Sequence, residues 1–285
     1  MLKALNLNDD AAWKRRYRAS SIGWATTAKN NPARGLVCTN RDGILQLYAW
    51  DVETGDLRQM TNMPAGVVSG LISSDGESIY YHQDEQGNEI GHYVRIPFVG
   101  GEPEDITPDM PPYASFSISQ SHSGNVTGFL AAGQDGFKMY VQKDGATTLL
   151  HQSDRMGSGP SLSYDGEIGV VTSTERSGTL DASIIAYDVA TGEQIAELWD
   201  GEDTSLAFGK FSPLAGDFRM LATTSKSGYN RPFIWNPRTG ERTELKLDDI
   251  PGEVAAWDWS GDAKRVLLRQ LYQAEYQLYV YNLET

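Results

Sequence analysis

Two kinds of tight turn recur in step along this sequence, and they constrain its fold more than any other feature. The first kind follows an aromatic-rich segment and reads aromatic, Asp or Asn, two variable residues, Thr and Gly. Asp and Asn open such turns because their side chains bond the backbone that follows, and Gly supplies the positive φ at the end. Clear copies begin at Asp51, Asp188 and Asn236, looser ones contain Gly100 and Asp144, and a sixth begins at Asn282.

The second kind of turn runs in phase with the first, in the pattern Ser-x-Asp-Gly. Both recur at intervals of about 46 residues, which suits four short strands and their connections. Short apolar or alternating runs lie between the turns, as strands require, and the segment after each Thr-Gly turn is polar. Copies of the second turn lie at 73–76, 121–124, 163–166, 211–216 and 259–262, with a degenerate first copy at 31–35.

The repeat predicts an all-β fold, a β-propeller of four-stranded antiparallel blades, over residues 21–285. About six blades are expected. The alternative is a β-sandwich with turns that match by chance, since Thr-Gly and Asp-Gly are common turn dipeptides. Two turn types in register over five or six intervals favour the propeller.

The sixth copy reaches Thr285 without the Gly and the polar outer segment that follow the other copies. We therefore expect an incomplete last blade and a propeller that is truncated at its C-terminus. The other interpretation is that the N-terminal segment supplies the missing strand, since propellers avoid an unpaired edge where the ring closes.

Residues 1–20 precede the repeat and form a lead-in. Asp9 or Asp10 could cap a short helix that runs to Arg18, with Trp13 and Tyr17 packed on the propeller rim. The alternative function for this segment is a basic arm for an acidic partner.

Composition excludes several classes of partner. The net charge of −14 and a pI near 4.7 argue against nucleic acid or an anionic membrane surface. The single cysteine, Cys38, lies in an apolar run, which predicts a buried thiol and excludes an internal disulfide. With no secretory leader and no uncharged apolar stretch near 18 residues, the sequence predicts a cytoplasmic protein.

Catalytic motifs are missing from the sequence, and we predict no catalytic, cofactor-binding or metal-binding residues. Gly-x-Ser-x-Gly does not occur, and its nearest approach, at 159–163, lacks the final Gly. No Gly-rich phosphate loop opens a helix, and one cysteine cannot form a zinc cluster. The scattered histidines are expected at the surface or in turns, and two acidic pairs, able to hold an amine, are expected to be solvated. These residues are His82, His92, His122 and His151, with Glu102/Glu104 and Asp248/Asp249.

The sequence resembles the N-terminal propeller of prolyl oligopeptidase family serine peptidases, especially the acylaminoacyl-peptidase-like members. The specific segments are 13–19, 47–61, 84–89 and 97–103, whereas the turns are shared with TolB-like and WD-repeat propellers. The resemblance implies a C-terminal α/β-hydrolase domain with a Ser-Asp-His triad, which the propeller covers to restrict entry to short or unfolded peptides. No such domain lies within these residues, so no catalytic position carries over.

The leading hypothesis is therefore a non-catalytic propeller that gates peptide substrates for an α/β-hydrolase domain absent from this chain. Whether the chain counts as an enzyme is left open. The alternative is a free-standing TolB-like or WD-like scaffold that holds a protein partner. A hydrolase with a metal in a central channel is a third possibility, for which the sequence offers no ligand cluster.

Overall fold

The computed structural model describes residues 4–284, and nearly all of their regular structure is antiparallel β-sheet. The chain divides into two compact units, the first ending at Pro112 and the second beginning at Tyr113. Each unit consists of blades in which successive strands pair with one another.

The N-terminal unit contains one short helix and two blades. The helix is α1 (Ala12–Tyr17). The first blade comprises β1 (Ile22–Thr27), β2 (Arg34–Thr39), β3 (Gln46–Asp51) and β4 (Leu57–Gln59). The second comprises β5 (Leu71–Ile72), β6 (Ser78–Asp84), β7 (Ile90–Pro97) and β8 (Glu104–Asp105). Within each blade the strands pair in chain order, and Leu36, Leu47, Ile79 and Ile96 belong to the core that both blades share.

The C-terminal unit contains four blades. Blade 3 comprises β9 (Tyr113–Ala114), β10 (Ile118–Gln120), β11 (Val126–Gly133), β12 (Gly136–Lys143) and β13 (Ala146–Ser153). Blade 4 comprises β14 (Gly157–Leu162), β15 (Ile168–Ser173), β16 (Ser183–Asp188) and β17 (Gln194–Leu198). Blade 5 comprises β18 (Leu206–Phe211), β19 (Met220–Thr224), β20 (Arg231–Trp235) and β21 (Arg242–Glu244). Blade 6 comprises β22 (Glu253–Trp259), β23 (Arg265–Tyr272) and β24 (Glu275–Asn282).

These strands confirm the predicted fold class. The chain is an all-β propeller built from antiparallel blades, and residues 4–284 contribute six blades, four of which have four strands. In blade 3 the innermost position is shared by β9 and β10, which both pair with β11. Blade 6 has three strands within the described residues, in the order β22-β23-β24.

The turns work as the sequence pattern predicts. In the first blade the backbone N–H of Thr54 donates to Asp51 Oδ1 at 2.9 Å, and Gly55 adopts a φ of +81° at the end of the turn. In blade 4 the Ser163 hydroxyl oxygen accepts the backbone N–H of Ile168 at 3.0 Å, which closes the Ser-x-Asp-Gly turn between β14 and β15. The side chains that define the repeat therefore stabilise the two ends of each blade.

The middle strands of a blade contribute apolar residues to two cores, one on each face of the blade. In blade 4, Val171 and Ile185 pack toward blade 3, whereas Val170 and Ile184 pack toward blade 5. Successive strand residues point to opposite faces, so a strand covered on both faces needs a continuous apolar run. Each fully buried side chain of this size contributes about 2 kcal/mol.

The lead-in differs from the prediction. Its helix is present, but Ala11 occupies the N-cap with no side-chain hydrogen bond, so neither Asp9 nor Asp10 caps it. No residue of α1 is buried, and Tyr17 is 81% exposed, so the expected packing of Tyr17 on the rim is wrong. Trp13 instead donates its indole N–H to the backbone oxygen of Asn6 at 2.6 Å.

Within the described part of the chain, no helix is long and apolar enough to cross a membrane.

Candidate functional sites in two neighbouring blades

Two clefts of the C-terminal unit occupy equivalent places in blades 4 and 5. Each lies where the second and third strands of a blade meet at their connecting loop, beside the outer strand of the same blade. The arginine cleft, in blade 5, has a volume of about 550 Å³, and the histidine cleft, in blade 4, about 450 Å³. The arginine cleft is lined by Thr224, Lys226, Ser227, Arg231, Pro232, Arg242, Glu244, Leu245, Leu247 and Asp248. The histidine cleft is lined by His151, Gln152, Ser173, Glu175, Arg176, Ser183, Ile185, Tyr187, Gln194 and Glu197.

A salt-bridge network forms one wall of the arginine cleft. The Arg242 guanidinium donates from Nη1 to Asp200 Oδ1 at 2.6 Å and from Nη2 to Oδ2 at 3.0 Å. Its Nε donates to Glu244 at 2.8 Å, and its flat face lies 3.9 Å from the centroid of the buried Phe233 ring. Asp200 comes from the segment after β17, so this ion pair ties blade 4 to blade 5.

The carboxylate of Asp200 is held in its charged form. Burial by itself raises its pKa, but the hydrogen bonds from Arg242 and Thr224 and the positive charges of Arg242 and Lys226 outweigh burial and lower the pKa. The Thr224 hydroxyl donates to Asp200 Oδ2 at 2.5 Å, and the Asp200 side chain is only 8% exposed. A bidentate, shielded pair of this kind is rigid as well as strong.

Arg231, in the same cleft, has none of these partners. It lies directly opposite Thr224 in the β19–β20 ladder. Among the described residues its guanidinium forms no hydrogen bond or ion pair, and its Nη1 atom is shielded from solvent without an acceptor. The cleft therefore contains one committed guanidinium and one uncommitted guanidinium.

A histidine–tyrosine pair lies in the other cleft. His151, on β13, is 8% exposed, and its Nδ1 lies 2.8 Å from the Tyr187 hydroxyl on β16. Burial lowers the pKa of His151, against the opposing charge of Glu175, and burial raises the pKa of Tyr187 to about 12. His151 Nε2 is buried without a hydrogen-bond partner among the described residues. The pair is thus neutral near pH 7.

Charged side chains also line the histidine cleft. Arg176 forms an ion pair with Glu197 at 3.2 Å, and Glu175 adds a further negative charge. The two clefts therefore present different chemistry at equivalent positions, a cationic one in blade 5 and a neutral to acidic one in blade 4.

The histidines flagged from the sequence are dispersed over the fold. The expectation of a surface or turn position is wrong for His151, which packs between blades 3 and 4 as part of the histidine cleft. His92 Nδ1 lies 2.6 Å from Asp105 Oδ2, which binds β7 to β8. The His82 ring meets Tyr93 edge-on, and the His122 ring stacks on Tyr164 at 4.7 Å. No group of three or more His, Cys, Asp or Glu residues suited to a metal ion occurs within residues 4–284.

Other flagged residues have structural surroundings. Cys38 is 1% exposed, as predicted, and burial raises the pKa of its thiol. Ser161, in the segment nearest to a nucleophile motif, donates to the backbone oxygen of Gly209 at 3.1 Å. Both members of each acidic pair are exposed, and Glu104 forms an ion pair with Arg95 at 2.5 Å. Asp248, however, lines the arginine cleft.

Sequence reasoning missed both clefts. Their residues come from neighbouring blades, and no local motif connects Asp200 with Arg242 or His151 with Tyr187. An alignment of the repeats could have indicated the clefts, because it places Arg231 and Ser183 at the same position in the third strand of their blades.

Comparison with known proteins defines the fold class. No protein-family model matches the chain, and no curated protein matches its sequence. Its backbone is similar to that of a prolyl endopeptidase, one of two for which inter-domain dynamics has a role in catalysis and specificity. The TM-score is 0.69 at 13% identity, over 94% of this chain and 42% of that one.

A second similar structure is TolB from Acinetobacter baumannii, with a TM-score of 0.54 at 14% identity, over 93% of this chain and 66% of that one. The chain thus spans less than half of the prolyl endopeptidase and about two thirds of TolB. Similarity at such low identity concerns the fold, and it agrees with the all-β propeller seen in the strands.

Proposed function

We propose that this chain is the propeller domain of a serine peptidase and that it gates peptide access to an α/β-hydrolase domain outside these 285 residues. The observation that carries the proposal is the similarity to the prolyl endopeptidase over 94% of this chain, at a TM-score of 0.69 against 0.54 for TolB. The sequence segments that resemble the prolyl oligopeptidase family support the same assignment.

Gating requires a body that is too rigid to open between its blades under thermal motion. Within each unit the interblade cores support this requirement, and in the C-terminal unit the Asp200–Arg242 pair does so as well, because close-packed apolar faces and a shielded ion pair resist local opening. A rigid body over an active site excludes folded polypeptides by their size, while short peptides pass. The gating role thus needs no catalytic residue in the propeller.

The test is to capture the protein from the cells that produce it, with an antibody to this chain, and to treat the captured material with a fluorophosphonate probe. The probe labels active serine hydrolases through their nucleophilic serine. We expect a labelled species in the captured material, in stoichiometric amount with this chain. Recovery of the chain without any labelled hydrolase would contradict the proposal. A matched control uses material that was pretreated with an unlabelled fluorophosphonate.

A scaffold function is the second candidate, and the similarity to TolB over 93% of the chain favours it. It predicts that the same capture recovers one stoichiometric protein that does not react with the probe. The two functions therefore give opposite results in one experiment.

A further inference from the structure

The two arginines of the arginine cleft differ in their hydrogen-bond partners. Arg242 directs Nη1, Nη2 and Nε at carboxylates of this chain. Arg231 meets no acceptor among the described residues, although its Nη1 is shielded from solvent. A guanidinium stays protonated at all ordinary pH values, so it cannot relieve this situation by losing its charge.

The acids that bind Arg242 or line the cleft do not supply the missing acceptor. Asp200 and Glu244 are bonded to Arg242, and Asp248 lines the cleft without an ion pair to Arg231. Lys226 contributes a second cation whose ammonium has no ion pair within residues 4–284. The cleft thus contains one guanidinium without a partner among the described residues, beside a lysine whose charge acts on Asp200.

The shape and lining of the cleft indicate the ligand. A guanidinium edge matches the two oxygens of a carboxylate. Pro232, Leu245 and Leu247 line the same cleft and suit a short aliphatic group beside that carboxylate. A volume of about 550 Å³ is in the range of small-ligand sites. The negative charge of the whole protein opposes an anion only weakly at this range, because salt screens distant charges beyond about 8 Å.

We propose that the arginine cleft binds a carboxylate that carries a short aliphatic group, with Arg231 as its principal contact. Two sources share this chemistry, the C-terminus of a peptide and a free aliphatic acid. The inference does not depend on the proposed peptidase function, because every residue that lines the cleft belongs to this chain, between Thr224 and Asp248.

Calorimetric titration of the purified chain with N-acetyl-leucine tests the proposal, with N-acetyl-leucine amide as the matched ligand without a charge. We expect the acid to bind and the amide to bind at least about tenfold more weakly, since the amide removes the charge that Arg231 recognises. Equal binding of the two, or no binding of the acid at millimolar concentration, would overturn the proposal.

Variants of Arg231 test whether N-acetyl-leucine binds in the arginine cleft. Arg231→Gln should weaken binding of N-acetyl-leucine at least about tenfold, and Arg231→Lys should weaken it less, because it keeps the charge but not the planar fork. Arg265→Gln is the control, since Arg265 is exposed and lines neither cleft. Circular dichroism establishes that each variant is folded. Wild-type affinity in folded Arg231→Gln would sink the assignment.

The affinities of two further ligands, 3-methylbutanoate and N-acetylglycyl-leucine, distinguish a free aliphatic acid from a peptide C-terminus as the source of the carboxylate. Tighter binding of the peptide indicates that contacts beyond the terminal residue contribute, and it assigns the cleft to peptide C-termini. Equal affinity assigns it to free aliphatic acids. Both results keep the carboxylate site, and failure of both ligands to bind would contradict it.

Discussion

The arginine cleft and the histidine cleft occupy the same place in neighbouring blades and yet have different chemistry. In blade 5 the cross-strand pair at the loop end of the second and third strands is Thr224 with Arg231, and in blade 4 it is Ser173 with Ser183. The backbone repeat fixes the position of each cleft, whereas single side chains at equivalent positions fix its charge. A propeller can therefore keep its architecture while each blade carries a different binding surface.

The largest effect on stability is expected at the ion pair between Asp200 and Arg242, which is shielded from solvent. Asp200→Asn removes the carboxylate that binds Arg242 and leaves the arginine without its principal partner. We expect a loss of about 2 to 3 kcal/mol in the free energy of unfolding, somewhat below the cost for a fully buried pair because Arg242 is 21% exposed. Urea denaturation measures it.

The matched control is Glu244→Gln, which removes the more exposed partner of the same arginine and should cost less than about 1 kcal/mol. A second control, Asp200→Asn combined with Arg242→Met, should recover part of the stability. Equal losses for the two single variants would show that the buried pair has no special role in joining blades 4 and 5.

In the histidine cleft, the corresponding change is Tyr187→Phe. It removes the hydroxyl that lies 2.8 Å from His151 Nδ1 and leaves a second buried nitrogen without a partner. The expected loss is about 1 to 2 kcal/mol. Tyr164→Phe is the control, because the Tyr164 ring stacks on His122 and its hydroxyl has no hydrogen-bond partner in the described part of the chain. An unchanged free energy of unfolding in Tyr187→Phe would contradict a stabilising hydrogen bond between Tyr187 and His151.

A smaller effect is expected from the pKa of His151, which burial lowers from its ordinary value of 6.5. As the pH falls through that value, the unfolded chain binds a proton that the folded chain does not. The stabilisation is thus complete above the unfolded pKa and declines as the pH falls toward the folded pKa. Comparison of wild type and His151→Gln, from about pH 8 to about pH 5, should show a shallower loss in the variant. Parallel curves would contradict this account.

The smallest effect is expected for Arg231→Gln in the absence of ligand. Since Arg231 has no partner among the described residues, its loss should leave the free energy of unfolding unchanged within about 0.5 kcal/mol, or raise it slightly. Denaturation with urea measures it alongside Asp200→Asn. A loss as large as that of Asp200→Asn would mean that Arg231 has a structural partner.

The fold was largely predictable because its signals are local. Asp51, Thr54 and Gly55 lie within one turn, and the hydrogen bonds between them join residues at most four positions apart. The lead-in was less predictable, because the cap and the packing of Tyr17 depend on neighbours that a sequence pattern does not reveal.

The clefts were not predictable from motifs, because they depend on contacts between blades. His151 and Tyr187 are 36 positions apart, and Asp200 and Arg242 are 42 apart. A pattern of residue types does not show which of several arginines meets a carboxylate. Only the three-dimensional arrangement separates Arg242, which binds two carboxylates, from Arg231, which has no partner within residues 4–284.

The proposed gating of a serine peptidase is tested most directly by the substrate selection of the material that the antibody captures. One cleavable sequence is placed in a short peptide and in an exposed loop of a stably folded domain, with an ungated serine protease that cleaves both as the control. The account predicts cleavage of the peptide and none of the folded domain. Cleavage of both at similar rates would contradict a gating role.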